Sequence, residues 1–179
     1  MSNDNMDSAT TGGRGEVDSL EGSYRNVTAV GGLVVGAEGV LLVKMTYGST
    51  RGRYMLPGGI VEPGETLDRA VVREVLEETG VTSRVIAICA VRSRHDGLDN
   101  DTYVIFLLEP EPGSPQSDGY ENEDARYFTL EELEREDVTE LSRSMGKKAL
   151  LWQLSLLTFA DDYDWKRAGQ NPESWRLFR

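Results

Sequence analysis

The segment LDRAVVREVLEET, residues 67–79, constrains this chain most, because it joins an apolar stripe and three glutamates in one helix. Thr66 before it is an expected N-cap, and Gly80 after it an expected left-handed stop. At about 100° per residue with Leu67 at zero, Ala70 lies at ~300° and Val71 at ~40°. Glu74 then falls at ~340°, Glu77 at ~280° and Glu78 at ~20°, so the acids continue the apolar stripe instead of opposing it. Val72 at ~140° and Leu76 at ~180° form a second apolar side. A helix apolar on two sides is expected between layers, with its acids at the mouth of a buried face.

Carboxylates at i,i+3 and i,i+4 repel one another, so the cluster calls for a cation or for protons. Oxygen ligands with no cysteine or histidine nearby suit a hard ion, Mg2+ with Mn2+ as the alternative. Arg73 is a local counter-charge. Glu65 lies within its reach, and an Arg–carboxylate pair there would clamp the preceding loop to the helix.

The surrounding pattern places this helix in a mixed sheet. VTAVGGLVV and VLLVKMT flank GAEG and read as a hairpin. YMLPGGIVEPGE carries two Pro-Gly steps and reads as turns. VTSRVIAICAVRS and TYVIFLLEP read as strands, the second central, and ARYF as a short strand. Thr129 with Glu132 has the capping-box spacing, and MGKKALLWQLSLLTFA reads as a further helix. This order of elements implies an α/β or α+β sandwich with helices on both faces of a mixed sheet, and excludes an all-parallel doubly wound one.

At 179 residues the chain suits one domain. Residues 1–22 are Ser/Asn/Asp/Gly-rich and expected to be disordered. Residues 23–160 form the domain, and 161–179 an aromatic-bearing tail that docks on it or on a partner in a homodimer. The net charge of −12 argues against nucleic-acid and anionic-membrane partners. It is compatible with a small anionic substrate, since a metal inverts the local field. Cys89, the one cysteine, sits in an apolar run and reads as an inert buried thiol. His95, the one histidine, reads as a loop residue. No apolar run approaches the roughly 18 residues of a membrane span, and the N-terminus lacks an apolar signal region. A cytoplasmic location is expected.

The stretch GGIVEPGETLDRAVVREVLEETGV resembles the Nudix box. Gly59, Glu65, Arg73, Glu74, Val75, Glu77, Glu78, Gly80 and Val81 fill every defined position of that pattern. The LPGG turn before it and ARYFTLEEL after it extend the likeness over residues 25–155. The resemblance implies a Nudix α/β/α sandwich that cleaves the pyrophosphate link of a nucleoside diphosphate joined to another moiety. It implies Glu74, Glu77, Glu78 and the Gly58 carbonyl as metal ligands, with Gly59, Glu65 and Arg73 supporting loop and helix. The general base stays open among Glu77, Glu78 and Glu121, the last resembling a loop glutamate used in part of the family. Glu123 and Asp124 compete with Glu121 for that place. Lys44 resembles a phosphate-contacting position, and Arg51 and Arg53 could act likewise.

The box indicates a reaction and not a substrate. The marks of NADH, dinucleoside-polyphosphate, coenzyme A and RNA-decapping subgroups are not found. Asp96 stands where ADP-ribose members carry a proline. A nucleoside triphosphate, as in MutT-like members, or a nucleoside diphosphate sugar is expected, with ADP-ribose as an alternative. A nucleotide-sensing module without catalysis is the reading from another class, and the intact set of glutamates disfavours it. Tyr47, Tyr54 and Tyr103 are candidates to stack on a base, with core packing the ordinary reading of the last two.

Overall fold

The computed structural model describes residues 25–95, 97, 99–160 and 177–179. The expected disordered segment 1–22 and most of the 161–179 tail lie outside the described residues.

The two β-branched runs form β1 (Asn26–Gly36) and β2 (Gly39–Met45). They pair only at the hairpin end, Val35 with Val40 and Gly36 with Gly39. β1 then leaves β2 and runs parallel to β5 (Asn100–Pro110) from Asn26 to Val34. β5 also pairs antiparallel with β4 (Ser83–His95), which makes it a central strand, as its apolar run implied. β2 carries β3 (Tyr54–Met55) and β6 (Asn122–Phe128), and β7 (Leu157–Thr158) lies at the edge beside β4. His95 therefore ends a strand and is not in a loop.

Where β2 peels away, the turn-rich segment takes its place on β1. The Val30 N–H donates to the Gly59 carbonyl at 2.9 Å and the Gly32 N–H to the Pro57 carbonyl at 2.8 Å. The Val61 N–H returns to the Thr28 carbonyl at 3.0 Å. The LPGG turn is thus hydrogen-bonded to the sheet, which fixes the backbone that faces the acids.

α1 (Leu67–Thr79) covers one face. Ala70, Val71 and Val75 pack with Val30, Val34, Val104, Phe106 and Leu108. α2 (Leu130–Arg135) and α3 (Glu140–Leu150) cover the other, where Leu133, Met145 and Ala149 meet Leu33, Leu42, Leu56, Ile105 and Phe128. The mixed sheet between helices is the α/β/α sandwich expected. Gly80 ends α1 at φ 67°, and the Thr129–Glu132 capping box is formed.

Three further local expectations fail. Thr66 stands at the N-cap of α1 but its side chain makes no capping bond. The second apolar side of α1 is not sandwiched among the described residues: Val72 packs on the same core as the first side, and Leu76 is 46% exposed. The helix read from Met145 to Ala160 instead begins at Glu140 and ends at Leu150. Its buried stripe is Ser142, Met145, Gly146 and Ala149, and Ser142, the polar residue that opens it, is one that an apolar count passes over. The Trp152 N–H bonds the Ala149 carbonyl and the Gln153 N–H the Lys148 carbonyl, a Schellman closure with Trp152 at φ 56°. The following run goes on to the sheet edge as β7.

The described end of the tail docks on the domain. Thr158 and Arg179 exchange two backbone bonds, and Phe178 lies edge-on to Phe106 with centroids 5.6 Å apart. Among the described residues, no helix is long and apolar enough to cross a membrane.

Candidate active site

Gly58 sits at φ 151°, and a Cβ there would lie 2.1 Å from the Val30 carbonyl oxygen, so the turn admits only glycine. Its N–H donates to Glu78 Oε2 at 2.9 Å. Glu78 is 3% exposed. Burial pushes its carboxyl up to about 8; the Gly58 bond opposes the shift, and Glu74, Glu121 and Asp118 add to it. Burial also raises Glu74, against the pull of Arg73 and with help from Glu77 and Glu121. The Glu74 carboxylate lies against Gly59, where a Cβ would meet its Oε1 at 2.6 Å.

Arg73 is the hub of the support. Its Nε and Nη2 grip the two oxygens of Glu65 at 2.8 and 3.0 Å. Its Nη1 reaches Glu74 at 2.9 Å and Glu77 at 3.0 Å, and its Nη2 the Ile60 carbonyl at 3.3 Å. The clamp expected between loop and helix is formed. The Arg73 bonds hold Glu65 below the usual carboxylate range.

The fourth acid comes from the loop before β6. Asp118 Oδ1 accepts from the backbone N–H groups of Tyr120, Glu121 and Asn122. The Glu121 carbonyl takes the Thr46 N–H at 3.0 Å, and Tyr47 donates its hydroxyl to Glu121 Oε2 at 3.3 Å. Asn122, fully buried, donates from Nδ2 to the Glu78 carbonyl at 2.8 Å.

Glu74, Glu78 and Glu121 thus form an acidic group walled by the LPGG backbone, α1 and the loop 117–121. A family model, the NUDIX domain, matches residues 25–148. The chain belongs to the Nudix family. Over 107 residues it is 35% identical to an ADP-ribose pyrophosphatase of Methanocaldococcus jannaschii, covering 59% of this chain and 63% of that relative. Over 82 residues it is 38% identical to the NAD-capped RNA hydrolase NudC of Vibrio cholerae, covering 46% of this chain and 30% of that one. The chain therefore spans less than two thirds of the length of these curated relatives. A crystal structure of a MutT NUDIX hydrolase from Burkholderia pseudomallei superposes with a TM-score of 0.60 at 26% identity, over 68% of this chain and 95% of that one.

The Nudix box residues do not stand as a ready-made metal triad. Among the described residues, no three acids are gathered closely enough to hold an ion as they stand. The reason is local: Arg73 draws Glu74 and Glu77, and the Gly58 N–H draws Glu78. Glu77 is the most open, its side chain 59% exposed. The donors are nonetheless all oxygens, and a buried carboxyl among like charges is the chemistry that a hard divalent cation relieves.

The basic residues are engaged elsewhere. Lys44 pairs with Glu123 at 2.8 Å. Arg53 bonds Asp137 at 2.9 Å and the Val138 carbonyl at 3.1 Å. Each keeps donors beyond those bonds, since an ammonium has three and a guanidinium five. Arg51 is exposed in the loop after β2. Of the three acids before the RYF strand, Glu123 faces Lys44 and Asp124 accepts the Tyr54 hydroxyl at 2.6 Å, which leaves Glu121 at the site. Cys89 is half-buried, its Sγ donating to the Ile105 carbonyl at 3.3 Å, and burial pushes its thiol up to about 12.

Asn122 and Asp118 were not legible as site residues, lying in a polar run that reads as solvated loop. Tyr103 also approaches the site. Its hydroxyl is sealed from solvent without a partner among the described residues, a Cβ on Gly31 would lie 2.0 Å from it, and burial with the nearby Glu78 charge raises its phenol.

Proposed function

We propose that the protein hydrolyses the pyrophosphate link of a nucleoside diphosphate joined to a second moiety, with a divalent cation, Mg2+ or Mn2+, held by Glu74, Glu77, Glu78 and the Gly58 carbonyl. The observation that carries this reading is Glu78: a carboxyl 3% exposed, held by one N–H and pressed by Glu74 and Glu121. A polyanionic substrate cannot approach such a group alone. When bound, a divalent cation neutralises phosphate charge and makes water more acidic.

The chain's own residues divide the remaining work. Gly58 and Arg73 aim the carboxylates of Glu78 and Glu74. Glu121 is the proton acceptor of this reading. Glu78 is buried and held by Gly58, and Glu77 is turned onto Arg73, whereas Glu121 lies on the open loop side with the Tyr47 hydroxyl to orient it.

ADP-ribose is the first substrate to test, because the Methanocaldococcus relative carries that name at 35% identity. A nucleoside triphosphate is the second, supported by the likeness to the Burkholderia MutT structure. The test is turnover of ADP-ribose, nucleoside diphosphate sugars and nucleoside triphosphates with Mg2+ or Mn2+, reading both products. ADP-ribose and water should give AMP and ribose 5-phosphate. Glu78→Gln and Glu121→Gln should each lower kcat by on the order of 10²–10⁴. An inert wild type across the panel, or full activity in both variants, would refute the reading.

A further inference from the structure

We propose that Asn122 is a positioning residue that holds Glu121 opposite Glu78 by tying the loop 117–121 to the end of α1; this rests on the hydrolase reading above. Three observations carry it. The first is the bond itself, Nδ2 to the Glu78 carbonyl at 2.8 Å, in a side chain with no exposed surface. Glu78 is thereby held at both ends, its carboxylate by Gly58 and its backbone by Asn122.

The second is a break in strand alternation. β6 pairs Asp124 with Lys44 but Asn122 with Met45, so Glu123 is an extra residue bulged out of the ladder. Alternation from Tyr127 and Ala125 would send Glu123 toward α1. The bulge sends Asn122 there instead and frees Glu123 to meet Lys44. With Asn122 turned in toward α1, its neighbour Glu121 faces Tyr47 at the site mouth.

The third is a cost that packing does not explain. Among the described residues Asn122 Oδ1 is buried without a partner, so half of the amide carries a desolvation cost, while its Nδ2 satisfies the Glu78 carbonyl. An amide kept there points to its donor end. The loop is held otherwise by Gln116, whose N–H bonds the Thr79 carbonyl at 2.8 Å, and by Ser117, Asp118 and Thr46, and Asn122 is the side-chain tie at its other end.

The test is Asn122→Leu in the full chain, with Asp118→Ala as a second variant that loosens the same loop from its exposed side. Asn122→Leu should lower the urea midpoint, since the buried Glu78 carbonyl loses its donor, and should lower kcat about 10- to 100-fold with KM changed less than about 3-fold. Amide exchange at residues 120–122 should quicken about 10-fold or more without change in α1, read on metal-free protein. Asn122→Ser, which retains a donor, should recover part of kcat. Asp118→Ala should repeat the kcat loss. Unchanged exchange in Asn122→Leu overturns the proposal whether or not the protein turns over substrate. So does a kcat within 2-fold of wild type in an active enzyme. An inert wild type with quickened exchange in the variants refutes the hydrolase reading and leaves the tie standing.

Discussion

Arg73 and Glu65 meet through two parallel bonds, Nε to Oε1 at 2.8 Å and Nη2 to Oε2 at 3.0 Å. The pair joins α1 to the turn ahead of it, and the same guanidinium continues to Glu74 and Glu77. A lysine supplies the charge but not the fork. Arg73→Lys should lower stability by about 1–3 kcal/mol, read by urea unfolding, and should lower kcat because Glu74 loses its aim. A kinetically normal Arg73→Lys would mean that charge alone suffices.

Gly58→Ala should be among the most damaging single-methyl changes. Its Cβ would enter the Val30 carbonyl at 2.1 Å, in a backbone region that side chains avoid. A loss of about 2–4 kcal/mol is expected, with displacement of the N–H that holds Glu78. Thermal melting and the kcat of the folded fraction measure the two effects separately.

The metal-free protein should lose stability as pH rises. The Glu78 carboxyl stands at about 8 in the folded chain, above its ordinary value of 4.5. Between those values the folded state binds more protons than the unfolded one, so stability falls with rising pH and levels above about 8. Glu74, also raised, adds in the same direction. The fall from pH 5 to 8 should be on the order of 1–4 kcal/mol, should flatten in Glu78→Gln, and should be reversed by Mg2+. Melting in chelator across that range is the measurement; a flat profile in wild type would contradict it.

Phe178→Ala should weaken the fold and spare the chemistry. The ring lies against Phe106 and Phe159 at the β7 edge. Half-buried burial of this kind predicts a loss of about 1–3 kcal/mol with kcat at 25 °C unchanged.

The layers and the acidic helix were legible because each rests on a period: alternation for the strands, 3.6 residues for α1. Glu65, Arg73 and Gly58 were legible because spacing fixes them on one helix and one turn. Asn122 was not, since its role depends on a bulge, and a bulge is a local choice between two registers that no period records. Glu77 shows the opposite error. The wheel put it at the edge of the stripe, and which neighbour an edge side chain takes, Arg73 or the site, is decided by contacts the wheel does not contain. The 145–160 run misled for a related reason, because apolar content does not say whether a stripe continues past Ala149.

The parallel pairing of β1 with β5 also has a temporal side. Asn26 and Asn100 touch across 74 residues of sequence. Contacts this distant form late, after shorter loops have closed. The hairpin and α1 come from earlier sequence, but the edge that seats Gly58 gains its neighbour only when β5 arrives, and Glu78 gains its backbone partner only with residue 122. In order of synthesis, therefore, the glutamates precede the residues that complete their surroundings. Their shared surroundings are complete only when β5 and the loop 117–121 have both joined the earlier sequence.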